Sequence, residues 1–155
     1  MKSHKLHIGN LEQERKEILN AYRGLMRAVK NRSKKESKLI RRAFDVALDA
    51  HKDMRRKSGE PYIYHPISVA KICADEMDLD VTSVVCALLH DTVEDTYISL
   101  KDIEELFGKE VSKIIDGLTK IPEVFDENAS VQAENFRKML PVQQRKLFRL
   151  SRFLR

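Results

Sequence analysis

Val84-Val85-Cys86-Ala87-Leu88-Leu89 runs directly into His90-Asp91-Thr92-Val93-Glu94-Asp95. The first six residues are apolar on every side, so as a helix they must be buried all round. The next six carry an imidazole and three carboxylates. On a continuous helix, positions 90, 91, 94 and 95 share one stripe, because residues four apart lie above one another. A buried helix that ends this way is costly unless something cationic neutralises its acids. The macrodipole adds to the cost, since it disfavours carboxylates at a helix C-terminus. A divalent metal answers the charge, because carboxylates and a neutral imidazole together bind ions such as Mn²⁺. His65 is a third candidate ligand and also lies just before an apolar helix. The competing reading is that Asp91, Glu94 and Asp95 only mark the point where a helix surfaces, with His90 as a partly buried spacer.

The rest of the chain reads as helices with short connections. Asn10 is placed to cap a helix to about Val29, with Leu11, Ile18, Leu25 and Val29 recurring at roughly helical spacing. Residues 36–55 form the next, with Leu39, Ile40, Ala43, Phe44, Ala47 and Leu48 on one stripe. Lys57-Ser58-Gly59-Glu60-Pro61 is a loop by composition. Pro66 suits the first turn of a helix to about Met77. Asp80 or Thr82 caps another, expected to run unbroken to Asp95. Ser99 with Asp102 opens a further helix as a capping box, which Gly108 ends. Residues 111–118 and 130–140 complete the helices, with a loop at 121–128 between them and Pro141 as an interruption. No strand signal stands out.

Bulk properties agree with one globular domain. The 155 residues are 42% hydrophobic and 34% charged, with five Gly and four Pro, which favours long helices over a many-stranded fold. No stretch approaches a membrane span, and Met1 to Asn10 lacks the apolar core of a signal peptide. Cys73 and Cys86 sit in apolar helical stretches and read as reduced core residues of a cytoplasmic protein. The net charge of +5 is unevenly spread. Residues 1–42 hold thirteen Lys/Arg against four Asp/Glu, residues 43–136 nine against twenty, and residues 137–155 seven against none. The segment that holds the candidate ligands is therefore acidic. That suits a cation site better than a nucleic-acid cleft, and the basic ends read as solvated faces. His4 and His7 read as exposed, and His51 as structural.

Residues 43–140 closely resemble the hydrolase domain of the RelA/SpoT homologue family, enzymes that make and degrade ppGpp, guanosine with a diphosphate at both 5′ and 3′. The resemblance is carried by Arg56-Lys57-Ser58-Gly59-Glu60-Pro61-Tyr62-Ile63-Tyr64-His65-Pro66 and by Ala87-Leu88-Leu89-His90-Asp91-Thr92-Val93-Glu94-Asp95-Thr96. It continues through Phe107-Gly108, Val111, Gly117-Leu118-Thr119-Lys120 and Gln132-Ala133-Glu134-Asn135-Phe136-Arg137-Lys138-Met139-Leu140. It implies an all-α helical stack of the HD type. It divides the chain into an N-terminal basic helix (1–35), an HD-type hydrolase domain (36–140) and a divergent basic tail (141–155).

For the site, the resemblance implies Mn²⁺ held by His65, His90 and Asp91, with Glu94 and Asp95 activating the attacking water. Arg56, Lys57 and Ser58 would hold the guanine nucleotide, ppGpp or pppGpp. By composition alone, these three belong to a solvated basic loop. The implied reaction is removal of the 3′-pyrophosphate to give GDP and pyrophosphate. The alternative is a guanine-nucleotide-binding or regulatory module without turnover, a fragment of a longer synthetase/hydrolase. Nucleic-acid binding through the basic ends is the weakest reading, and no membrane is expected. The family pattern continues into a helix with a last metal-ligand Asp, whereas here no acid follows Glu134. The expectation is an under-ligated metal with Glu94 and Asp95 as the only nearby substitutes. Apolar surface on Phe136, Met139 and Leu140 would then be covered in part by Leu147, Leu150 and Leu154.

Overall fold

A computed structural model describes residues 2–120 and 128–139. Within them the chain forms α1 (Lys2–Ala28), α2 (Lys34–Ala50), α3 (Tyr64–Asp75), α4 (Val81–Leu89), α5 (Thr92–Asp95), α6 (Leu100–Phe107), α7 (Lys109–Thr119) and α8 (Ala129–Met139). The described residues contain no strand beyond an isolated bridge between Arg55 and Pro61. The fold is an all-α stack, and no described helix is long and apolar enough to cross a membrane.

Helix α4 is the axis of this stack because it has no polar face to turn outward. Val84 to Leu89 are fully buried, and α2, α3, α7 and α8 pack around them. Each such aliphatic side chain contributes about 1.5–3 kcal/mol on burial. Helix α1 lies against α3 and sends Ile18, Tyr22 and Leu25 into the same core. Tyr22 stacks on Phe44 of α2 at 4.4 Å between ring centroids. The Arg41 guanidinium covers both rings, 5.2 and 5.7 Å from their centroids, so its charge stays at the surface over an aromatic pair. Cys73 and Cys86 are free and buried. Burial pushes the Cys73 thiol up to about 12, which keeps it protonated and unreactive.

Several boundaries differ from those expected. Helix α1 starts at Lys2, so Asn10 lies inside it rather than capping it. Nothing between Lys2 and Asn10 is a proline, and the one interior glycine, Gly9, costs a helix only about 1 kcal/mol. Helix α2 begins at Lys34, where Ser33 and Glu36 form a reciprocal capping box. It ends at Ala50 rather than residue 55, with the His51 backbone N–H closing onto Ala47 and Asp49. Helix α7 is longer than 111–118, beginning immediately after Gly108, whose φ of +94° only glycine adopts readily. The Ser99–Asp102 box and the Asp80 cap are both present. The expected loop at 121–128 lies outside the described residues except for Asn128. So do residues 141–155 with Leu147, Leu150 and Leu154, Leu140, and the side chains of Phe136 and Met139.

The expected unbroken helix to Asp95 is instead two helices that part at His90 and Asp91. Two side chains claim the carbonyls at this joint. His90 Nδ1 lies 2.6 Å from the Ala87 oxygen, and Thr92 Oγ1 donates to Leu89 at 2.7 Å. Side-chain bonds of this kind compete with the main-chain ladder and bend a helix.

Candidate metal centre

The loop between α2 and α3 folds back on itself. The Arg56 N–H donates to the Glu60 carbonyl at 2.9 Å, Tyr62 donates to Met54 at 3.0 Å, and Gly59 takes a φ of +90° at the tip. This turn hangs Arg55, Arg56, Lys57 and Ser58 over the start of α3, where His65 stands. Pro66 follows within the first helical turn, where a missing N–H costs nothing. Opposite, the α4–α5 joint presents His90 and Asp91, and α8 lays Gln132 across both.

The centre is compact and dry. His65, His90 and Asp91 each offer a donor atom, all within 4.8 Å of one another. His90 Nε2 is 3.0 Å from Asp91 Oδ2. Gln132 Oε1 is 2.6 Å from His65 Nε2 and 3.0 Å from His90 Nε2. Tyr62 donates its hydroxyl to Asp91 Oδ2 at 2.6 Å. Tyr62 keeps its proton, because burial and the charge of Asp91 both push its pKa up. Burial lowers the pKa of His65, leaving a neutral imidazole, the form that binds metals. Burial also opposes a charge on His90. The hydrogen bond and negative charge of Asp91 outweigh it and raise His90, while His90 in turn outweighs burial and lowers Asp91.

These residues fit a divalent metal. The Nδ1 of His90 faces the Ala87 carbonyl and so carries a ring proton, which leaves Nε2 as the atom that donates to Asp91 or, once deprotonated, offers its lone pair to a metal. That nitrogen points at two oxygens, one of them a carboxylate. Donors that converge this closely are held together by a proton on a ring nitrogen or by a metal in its place, and a nitrogen-and-oxygen set suits Mn²⁺, Zn²⁺ or Fe²⁺.

Above this floor opens a cleft of about 590 Å³, within the size of small-molecule sites. Arg55, Arg56, Lys57 and Ser58 of the α2–α3 loop line it together with Asp91, Glu94 and Asp95. All eight candidate residues therefore meet at one place. His90 alone lies beneath the cleft rather than in its wall. The expected stripe is split by depth: His90 and Asp91 are buried, while Glu94 and Asp95 are exposed at the rim. Partial burial, then Asp91 and Glu94, raise the pKa of Asp95. Arg56 is half-buried, with Nε 3.7 Å from Glu60. Lys57 and Ser58 are exposed. His51 is no ligand. Its ring stacks on Tyr62 at 4.7 Å.

Sequence reasoning missed Tyr62 and Gln132. Both lie in stretches that carry the resemblance, yet neither was given a role. The group that bridges the Nε2 atoms of both imidazoles is the Gln132 amide, while the expected substitutes Glu94 and Asp95 stand exposed at the rim.

Residues 43–144 match the HD domain family, and the chain belongs to it. Its HD region is homologous to that of the SpoT and RelA proteins. It is 49% identical over 104 residues to the bifunctional (p)ppGpp synthase/hydrolase SpoT of Escherichia coli K12, covering 66% of this chain and 15% of that one. It is 45% identical over 101 residues to the guanosine-3′,5′-bis(diphosphate) 3′-pyrophosphohydrolase of Aquifex aeolicus VF5, covering 65% of this chain and 14% of that enzyme. A solved structure described as a metazoan ortholog of SpoT that hydrolyzes ppGpp is 32% identical with a TM-score of 0.50, over 57% of this chain and 49% of that one. The chain spans about 15% of the length of the curated relatives it matches.

Proposed function

We propose that this domain hydrolyses ppGpp at its 3′ position, with Mn²⁺ held by His65, His90 and Asp91, releasing GDP and pyrophosphate. The observation that carries the reading is the mixed lining of the cleft. Cations of the α2–α3 loop and acids from Asp91 to Asp95 line it together, over a buried His-His-Asp floor. Such a lining suits a polyanion at the basic loop and a cation with its water at the acids. The names of the relatives supply the particular polyanion.

In this reading Arg56 and Lys57 hold phosphate oxygens, the guanidinium with a fork that matches them, and Ser58 adds a hydroxyl. Glu94 and Asp95 orient a water molecule and accept its proton. The water oxygen bonds to the phosphorus attached at the 3′ oxygen. The bond from that phosphorus to the 3′ oxygen breaks, and the 3′ oxygen leaves with a proton. The metal supplies charge neutralisation at the phosphoryl group and a more acidic water. Tyr62 holds the Asp91 carboxylate in position from below.

The test is pyrophosphate release from ppGpp with Mn²⁺ present, beside a His90→Ala control. Release well above the control is expected. Tight ppGpp binding by calorimetry with no release above the control would instead favour a nucleotide-binding module.

A further inference from the structure

We infer that Gln132 is a fourth protein ligand of the metal, its side-chain carbonyl completing the shell begun by His65, His90 and Asp91. The inference rests on the metal centre proposed above and extends it to a residue outside the expected set.

Gln132 is 2% exposed, and α8 points it inward against α3 and α4. Its Oε1 is 2.6 Å from one imidazole Nε2 and 3.0 Å from the other. The second of these nitrogens is itself 3.0 Å from Asp91 Oδ2. Donor atoms held about 2.1 Å from one ion, at angles between 90° and 110°, lie about 3.0–3.4 Å apart. Two of these spacings, both 3.0 Å, match such a shell, and the third, 2.6 Å, is shorter. Four donors from three parts of the fold, α3, the α4–α5 joint and α8, come together, and three of them are already candidate ligands. The amide carbonyl is a hard, neutral oxygen, a type that suits Mg²⁺, Ca²⁺ and Mn²⁺.

A neutral fourth donor has a consequence for charge. Two imidazoles, one carboxylate and one amide leave the ion with more net positive charge than a second carboxylate would. The ion is bound less tightly and polarises its neighbours more strongly. The opposite arrangement is also chemically defined. An amide turned by half a revolution would donate N–H to both Nε2 atoms and plug the centre. The two arrangements predict opposite signs for one substitution.

Mn²⁺ uptake by the full chain, followed by loss of the free-ion paramagnetic resonance signal, separates them. Gln132→Leu preserves volume in the packed interface, and circular dichroism melts check the fold. Gln132→Leu is expected to weaken Mn²⁺ binding about 10- to 100-fold, as losses around metal sites do, and Gln132→Glu to bind at least as tightly as the parent. Unchanged or tighter binding by Gln132→Leu, with binding lost in His90→Ala, would overturn the inference and leave the His-His-Asp centre standing. Parent-like binding by His90→Ala would overturn both. If the leucine variant does not fold, Gln132→Glu decides: weaker binding than the parent refutes the ligand role.

Discussion

His90 and Asp91 are 1% and 2% exposed, while Glu94 and Asp95, one turn further on, face solvent at the rim of the same cleft. Four polar residues in six positions thus divide into a dry floor and a wet edge. The floor is over-determined. Asp91 is held by Tyr62 and His90, His90 by Ala87, and both imidazoles by Gln132. The rim is held by surface contacts that water screens, such as the 3.7 Å approach of Arg56 to Glu60. The difference is one of electrostatic strength. A charge in the floor acts in a low dielectric and cannot be replaced by water. A charge at the rim can move to meet a ligand, at a modest energy either way.

The largest effect should come from removing charge in the floor while keeping its shape. Asp91→Asn preserves volume and deletes the carboxylate that Tyr62 and His90 share. Mn²⁺ affinity should fall by more than about a hundredfold, exceeding the loss typical of groups that only support a ligand. Calorimetry reads this directly. A loss under tenfold would show that floor and rim carboxylates are interchangeable, and the comparison would break.

The rim should respond in kcat and KM while metal binding holds. Glu94→Gln with Asp95→Asn is expected to lower the rate of pyrophosphate release by about 10²–10⁴-fold, the range for a lost general base. Mn²⁺ affinity should stay within a few-fold. Arg56→Ala should act differently and raise KM by about tenfold with kcat nearly kept, as loss of one charge-assisted contact does. A large loss of metal in the double variant would place the acidic pair in the floor after all.

What the sequence made legible follows the same division. The stack could be read because α4 is apolar on every side, which no exposed helix can be. His65, His90 and Asp91 could be read because few residue types bind metals and a buried acid demands a partner. Gln132 could not, because an amide is at home on any helix, and its role depends on which face of α8 meets α3 and α4. Tyr62 was hidden likewise, as a loop aromatic whose partner lies 29 residues away. The break at His90 was invisible because the apolar run before it is a perfect helix, and only side-chain bonds to Ala87 and Leu89 part it from α5. The Ser33–Glu36 box, by contrast, stood in plain view as Ser-Lys-Lys-Glu and would have fixed the start of α2.

The smallest effect should come from His51, packed under the floor behind Tyr62. Its Nδ1 lies 2.9 Å from the Ala47 carbonyl, and its Nε2 is buried with no hydrogen-bond partner among the described residues. Burial lowers its pKa. The Ala47 bond and then Asp91 pull the other way, and His90 adds to the lowering. The unfolded chain takes up this proton near the ordinary value of 6.5, and the folded chain only at a lower pH. Below 6.5 the unfolded state binds more protons, so stability falls as pH drops and levels off once the folded ring also titrates. His65 shifts in the same direction and His90 in the opposite one, so the informative quantity is a difference between two proteins. In metal-free chain, the melting temperature of the parent should fall more steeply between about pH 7 and pH 5 than that of His51→Phe, which can still stack on Tyr62. Equal slopes would mean that the His51 ring accepts a proton without penalty. Water would then reach the underside of the floor, and the dry half of the cleft would be shallower than its geometry implies.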